Sequence, residues 1–227
     1  MSVSFIVPFY NEEKNLLKVY RSIKKLVKKK KIKYELIFID DGSSDSSVKI
    51  LKKNIKTKFK LIVNNRNKGL GYSLKKGMKN ALNKYVIWIP SDDEHDVNGL
   101  LPLFKNYNNF DLIIPYVINS NIRPIWRRIL SYTFALYIRL VFFYNIPYFN
   151  GLVLYKNEIL KKSLKSVNNN SFSFVPEILL RSLKITNNYK IVGYKIKKSA
   201  NFKSSAFTIK NIILTIYKII RLSSLMA

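Results

Sequence analysis

Two acidic stretches, about fifty residues apart by simple count, hold the side chains best able to do chemistry. Asp40-Asp41-Gly42-Ser43-Ser44-Asp45 follows the apolar run Leu36-Ile37-Phe38-Ile39, and Asp92-Asp93-Glu94-His95-Asp96 follows Tyr85-Val86-Ile87-Trp88-Ile89-Pro90-Ser91. In the second stretch four carboxylates occupy five positions, and they repel one another unless a cation compensates. Hard Mg²⁺ or Mn²⁺ takes few protein carboxylates and completes its shell with phosphate oxygens and water, so the alternating pair Asp92 and Glu94 would suffice. In the first stretch Asp40 and Asp41 can accept hydrogen bonds from a base or ribose. The plainer readings stay open: a helix cap and turn for the first stretch, an acidic surface loop for the second. His95, the sole histidine, is expected to be a solvated loop residue rather than a metal ligand.

These loops need a frame. Short all-apolar runs that end in acids and glycine suit strands buried on both faces of a parallel sheet, whose carboxyl edge is where ligands bind. Strands are expected at 3–7, interrupted by Pro8, and at 34–39, 61–63, 85–89 and 111–115. Between them, Leu16, Val19, Tyr20, Ile23, Leu26 and Val27, and then Val48, Leu51 and Ile55, repeat at helical spacing. Asn67-Lys68-Gly69-Leu70-Gly71-Tyr72 opens a further helix through Leu74, Met78, Ala81 and Leu82. Its paired glycines could admit a ligand to the backbone, or mark a plain loop. The alternation predicts an α/β fold with a doubly wound, mostly parallel sheet flanked by helices.

The second half changes character. Arg123, Arg127 and Arg128 precede a run from Ile129 to Phe149 rich in Tyr, Phe, Leu and Ile. Arg139, Asn145 and Pro147 interrupt it, so it falls short of the roughly 20 apolar residues of a membrane span and reads as an interfacial or core helix. Guanidinium groups before such a helix can hold phosphates by bidentate hydrogen bonds, although surface arginines are common. A strand over 150–155 and helices over 157–165 and 175–184 follow, with Glu177 in the second helix. The tail places Ile209, Ile212, Ile213, Ile216, Ile219 and Ile220 at helical spacing among Lys210, Lys218 and Arg221. That is an amphipathic helix suited to a membrane surface, or one that packs on the domain. The expected division is one domain over 1–205 and this C-terminal helix over 206–227.

The absence of cysteine excludes disulfides and thiolate metal sites. Forty-one Lys plus Arg against 13 Asp plus Glu give a net charge of +28, which calls for an anionic neighbour or a compositional habit. Nucleic acid is disfavoured, because no zinc-finger spacing, ribonucleoprotein motif or recognition helix is present. Anionic lipid fits the aromatic and basic second half, whereas Lys28-Lys29-Lys30-Lys31 reads as a solvated helix end favoured by the helix dipole. The first residues lack a basic region before their apolar run, unlike a secretory signal, so a cytoplasmic protein is expected.

Taken in order and spacing, Val7-Pro8-Phe9-Tyr10-Asn11-Glu12, Asp40-Asp41-Gly42-Ser43-Ser44-Asp45, Asn67-Lys68-Gly69-Leu70-Gly71 and the acidic loop after the fourth strand resemble family 2 glycosyltransferases of GT-A fold. Their nearest likeness is to polyprenyl-phosphate hexosyltransferases of the dolichol-phosphate mannose synthase type. The resemblance implies a nucleoside-diphosphate sugar donor held by Pro8, Tyr10, Glu12, Asp40, Asp41 and Lys68, and Mg²⁺ or Mn²⁺ held by Asp92 and Glu94. It also implies an acceptor phosphate met by Arg123, Arg127 and Ser131, with Asp92 and Arg127 serving catalysis. In two places the chain departs from the family pattern. Pro90 stands where the metal loop usually begins with another Asp, and Lys198 with Lys203-Ser204-Ser205 replaces an arginine followed by Gly-x-Ser.

A phosphate monoester, with a second pKa of about 6, is already ionised near neutral pH and needs no general base to attack a sugar. Carboxylates are sparse between the acidic loop and Glu177, so a polyprenyl phosphate acceptor at the inner face of the cell membrane is the leading expectation, with inversion implied by the family likeness. The alternatives are a glycan hydroxyl acceptor with Glu177 or a loop acid as base, and a relative that has lost activity.

Overall fold

The computed structural model describes residues 2–93, 95, 97–105, 107–167, 169–171, 173–197 and 217–222. Its elements are β1 (Ser2–Phe9), α1 (Leu16–Lys30), β2 (Lys33–Asp40), α2 (Ser47–Asn54), β3 (Lys60–Val63), α3 (Leu70–Lys79), β4 (Tyr85–Trp88), β5 (Leu112–Val117), α4 (Ile125–Phe142), β6 (Leu154–Lys156), α5 (Asn157–Lys165), α6 (Phe174–Ile185) and β7 (Tyr189–Tyr194). Short 3₁₀ helices join β4 to β5 and β5 to α4. Seven strands lie in the order β3-β2-β1-β4-β6-β5-β7, with β6 antiparallel to both of its neighbours and every other pairing parallel.

The mostly parallel α/β sheet expected from the alternation is therefore present. Strand β1, buried from Val3 to Phe9, pairs with β2 on one side and β4 on the other. α1 turns Leu16, Val19, Ile23, Leu26 and Val27 inward and closes with Lys28, Lys29 and Lys30 in its last turn, where cations offset the helix dipole. α1 packs on α2, whereas α3 packs on β1, β2 and α5. The two layers bury both faces of the sheet, which is why its central strands read as unbroken apolar runs.

Two local expectations are corrected. Pro8 does not end β1: it pairs in register with Ile39 of β2. On the β4 side the register ends at Ile6 opposite Trp88, with Ile89 donating to the Ile6 carbonyl, so Pro8 lies beyond the paired residues of that ladder. The strand expected at 150–155 shrinks to Leu154–Lys156, which pairs with β4 and β5 through only two residues on each side. β7, on which the sequence reading is silent, is a half-buried edge strand whose Gly193 leaves room for Ile118 and Tyr116.

The tail has two readings in the sequence, a membrane surface or packing on the domain. Residues 217–222 are helical, with Ile219 and Leu222 buried in the core. The Lys218 ammonium donates to Asn169 Oδ1 at 2.9 Å and to Ser171 Oγ at 3.0 Å. This part of the tail packs on the domain; the rest of the expected helix, with Lys198 and Lys203-Ser204-Ser205, lies outside the described residues.

Candidate active site

Parallel pairing brings the carboxyl ends of β1, β2 and β4 to one edge, because Phe9 lies opposite Asp40 and Ile6 opposite Trp88. The Tyr10–Glu13 segment thus emerges between Asp40-Asp41 and the acidic loop. It is laced to the β2 loop from both directions. Asn11 donates its backbone N–H to Ser43 Oγ at 3.0 Å, and its side-chain Oδ1 accepts the N–H of Ser44 at 2.9 Å. The Glu12 N–H donates to Ser47 Oγ at 2.9 Å, and the Glu13 N–H to Asp45 Oδ2 at 3.1 Å. Asn11 sits at φ +55°, a left-handed conformation that asparagine tolerates.

Asp40 and Asp41 are both buried, yet they do different work. Asp40 accepts the Ser43 N–H at 2.9 Å and so closes the turn at Gly42. Asp41 Oδ1 accepts from Asn64 Nδ2 at 2.9 Å, Ser73 Oγ at 2.9 Å and the Lys68 N–H at 3.0 Å, while Oδ2 accepts the Gly69 N–H at 2.8 Å. A carboxylate has about four lone-pair sites, and here four protein donors address them. Asp41 is thus a buried pin for the Lys68-Gly69 turn, a role that sequence spacing did not reveal.

The paired glycines are explained by packing. Gly69 has φ +88°, and a Cβ on Gly71 would fall 2.3 Å from the Ser171 carbonyl oxygen. The 169–171 loop sits over the start of α3, with the Tyr72 N–H donating to the Asn170 carbonyl at 3.2 Å. Lys68 is exposed, its ammonium 4.7 Å from the Tyr72 ring centroid, and Tyr10 is likewise exposed at the sheet edge. Pro8 is buried.

Across β1, Asp92 is exposed and acts on Glu12 electrostatically. Burial chiefly, then the charges of Asp92 and Asp45, raise the Glu12 carboxyl above its ordinary value, against the hydrogen bond from Asn15. Asp93 lies at φ +57° and meets the Lys197 ammonium at 3.0 Å. His95 is not a solvated loop residue: it is half-buried, stacked on Tyr194 with centroids 6.0 Å apart, and its Nδ1 is 3.2 Å from the Tyr194 hydroxyl. Burial, then the neighbouring Arg123 charge, pushes its pKa down to about 3, so the ring is neutral. Glu94 and Asp96 lie outside the described residues. Arg123 therefore stands beside the acidic loop, just ahead of α4, while Arg127 is buried in the first turns of that helix. Ser131, four residues on and half-buried, shares its face.

Residues 4–164 match the protein family described as Glycosyl transferase family 2. The chain belongs to that family. It is 26% identical over 204 residues to the dolichyl-phosphate beta-glucosyltransferase of Dictyostelium discoideum, covering 81% of this chain and 62% of that protein. It is 38% identical over 93 residues to the undecaprenyl-phosphate 4-deoxy-4-formamido-L-arabinose transferase of Proteus mirabilis, covering 40% of this chain and 28% of that one. The chain thus spans less than two thirds of the length of these relatives. Among solved structures, glucosyl-3-phosphoglycerate synthase from Mycobacterium tuberculosis, in complex with Mn²⁺, uridine diphosphate and phosphoglyceric acid, superposes with a TM-score of 0.70 at 15% identity, over 98% of this chain and 78% of that one. The likeness establishes the GT-A fold.

Whether this family 2 glycosyltransferase can hold a metal depends on its donors. Among the described residues no group of three or more His, Cys, Asp or Glu is placed to bind one. Mg²⁺ and Mn²⁺, however, need only one or two carboxylates when a substrate diphosphate supplies further oxygens. An exposed Asp92, whose charge adds to the burial that raises Glu12, fits that requirement. Glu177 is buried, and its Oε1 accepts from Arg181 Nε at 2.8 Å.

Proposed function

We propose that the chain transfers a hexose from a nucleoside diphosphate sugar to a polyprenyl phosphate at the cytoplasmic membrane surface, with inversion. The observation that carries this reading is the meeting of four segments at one sheet edge: Glu12 after β1, the Asp41-pinned loops after β2 and β3, and Asp92 after β4, with Arg123 adjoining. The named activities of the dolichyl- and undecaprenyl-phosphate transferases among its relatives support a lipid phosphate acceptor, and the uridine diphosphate complexes of the fold neighbour support a nucleotide donor.

In this reading Pro8, Tyr10, Glu12 and the Asp40-Asp41 turn form the base and ribose end of the pocket, with Lys68 at its rim. Asp92, with Glu94, would hold Mg²⁺ or Mn²⁺, which neutralises charge on the departing diphosphate. Arg127 and Ser131, together with Arg123, hold the acceptor phosphate by charge-assisted hydrogen bonds and aim one of its oxygens at the anomeric carbon. That oxygen forms the new bond from the face opposite the diphosphate while the bond from the anomeric carbon to the diphosphate breaks. An ionised phosphate loses no proton in this step, so the ion-paired state of Glu177 costs nothing.

The test is to incubate the chain with radiolabelled nucleotide sugars, Mn²⁺ and a short polyprenyl phosphate, and to partition the products into organic solvent. Label in the lipid phase supports the reading. Label found only on a soluble glycan would move the acceptor to a sugar hydroxyl, and the absence of any transfer would overturn it.

A further inference from the structure

α4 has two apolar faces, and only one is used inside the molecule. Ala135 and Ile138 are buried against the core, while Ile125, Ile129, Tyr132, Leu136 and Leu140 are exposed. At 3.6 residues per turn these five fall within about 80° of one another, on the side of the helix away from Ala135 and Ile138. Trp126 borders the stripe at its start, and Phe143, 90% exposed, ends it. Solvent-facing leucines and isoleucines are ordinary when scattered, but a continuous helix-long stripe marks a binding surface.

The charge around the stripe indicates the occupant. Between Asp111 and Glu158 the sequence contains no acidic residue, and Arg128 and Arg139 flank the stripe on the helix, Arg127 being buried on its opposite side, within a chain of net charge +28. Among the described residues no helix is long and apolar enough to cross a membrane, and α4, at 1.5 Å per residue, is about 27 Å long. An apolar stripe bordered by aromatic rings, with arginine on its flank and no carboxylate on its own helix, has the composition of a helix lying in the plane of an anionic bilayer. The described part of the tail does not compete for this role, because Ile219 and Leu222 are buried and Lys218 is bonded to the 169–171 loop.

We propose that the outward stripe of α4 docks the protein on an anionic lipid surface, with Ile129, Leu136 and Leu140 among the acyl chains. This deepens the membrane-surface reading above by naming the docking surface, and it puts the Arg123–Ser131 end of the helix at headgroup level. The docking itself needs neither donor nor acceptor, so it can be tested apart from transfer.

The experiment is flotation of the full chain with vesicles of equimolar phosphatidylglycerol and phosphatidylcholine, or of phosphatidylcholine alone, without nucleotide. The wild type is expected to float with the anionic vesicles and to do so far less with the neutral ones. Ile129→Glu and Leu140→Glu should weaken flotation at least about tenfold, whereas Leu82→Glu, at an 81% exposed position off the stripe, should not change it. Quenching of tryptophan fluorescence by brominated acyl chains, carried out on the wild type, tests insertion without any variant. Three results would overturn the proposal: no flotation of the wild type, unchanged flotation of the stripe variants, or a soluble dimer that these variants dissociate. Failure of sugar transfer with intact flotation would count against the reaction and leave the docking surface standing.

Discussion

The carboxylate of Asp41 and the backbone N–H of Gly69 lie 2.8 Å apart, joining the loop after β2 to the loop after β3. Removing that carboxylate would leave buried Asn64 and Ser73 donors and the Lys68 and Gly69 amides without their acceptor. Asp41→Ala is therefore expected to lose about 3 kcal/mol of stability in urea unfolding. It should also accelerate hydrogen exchange at 67–72 in the ligand-free protein. A side chain whose sole role was to touch the nucleotide would leave that exchange unchanged.

The two glycines that open α3 should respond differently. A Cβ on Gly71 would overlap backbone atoms of Asn170 and Ser171 at 2.3 to 2.8 Å, while one on Gly69 would meet nothing nearer than 3.6 Å. Gly71→Ala should thus cost about 2 to 3 kcal/mol through forced movement of the 169–171 loop. Gly69→Ala should cost only about 1 kcal/mol, from its positive φ. Thermal melts of both variants check the order, and equal losses would show that the 169–171 loop yields freely.

Glu12 gives a pH signature. Its carboxyl is raised in the folded chain, first by burial, so its contribution to stability is full below the unfolded pKa and is lost as pH rises through the folded value. Glu12→Gln should therefore melt at a higher temperature than wild type at about pH 7, with the gap closing towards about pH 4. Mn²⁺ should narrow the gap at neutral pH by stabilising the wild type more. A gap independent of pH would show that the carboxyl is not penalised.

Arg127 and Ser131 can be separated from the donor pocket by kinetics. Ser131→Ala removes one neutral donor and should raise KM for the polyprenyl phosphate about fivefold while leaving KM for the sugar nucleotide unchanged. Arg127 is buried, so Arg127→Lys, which keeps the charge and loses the planar fork, is the informative change. It should lower kcat/KM for the acceptor more than Ser131→Ala does.

The frame of the molecule was legible in its apolar runs because buried parallel strands have no solvent face to break them: Leu36 to Ile39 and Tyr85 to Ile89 read as strands at sight. Pro8 misled because a proline's effect depends on which neighbour its nitrogen faces, and that neighbour, β4, is distant in sequence. β7 was missed because Tyr189–Tyr194 is a half-buried edge strand with a glycine and no strong alternation. Around the candidate site, Asp92 and Arg123 stand out by residue type and spacing, and the acidic loop holds the one while the other adjoins it. The roles of Asp41 as a loop pin, of Gly71 as the seat of the 169–171 loop and of His95 as a partner of Tyr194 depend on contacts between distant segments. Periodicity does not encode such contacts. The tail helix is similar: its isoleucine spacing fits a membrane or a domain surface equally, and the burial of Ile219 and Leu222 decides for the domain over 217–222.

The central claim is that separate acidic segments form one pocket that takes a nucleoside diphosphate sugar together with a divalent cation. The most direct measurement is a thermal-shift screen of uridine- and guanosine-diphosphate sugars with and without Mn²⁺, on wild type and Asp92→Asn, since a ligand that binds only the folded state raises the melting temperature. The account predicts a rise for one nucleotide class that depends on Mn²⁺ in the wild type and vanishes in Asp92→Asn. No shift with any sugar nucleotide, or the same Mn²⁺-dependent shift in both proteins, would contradict it.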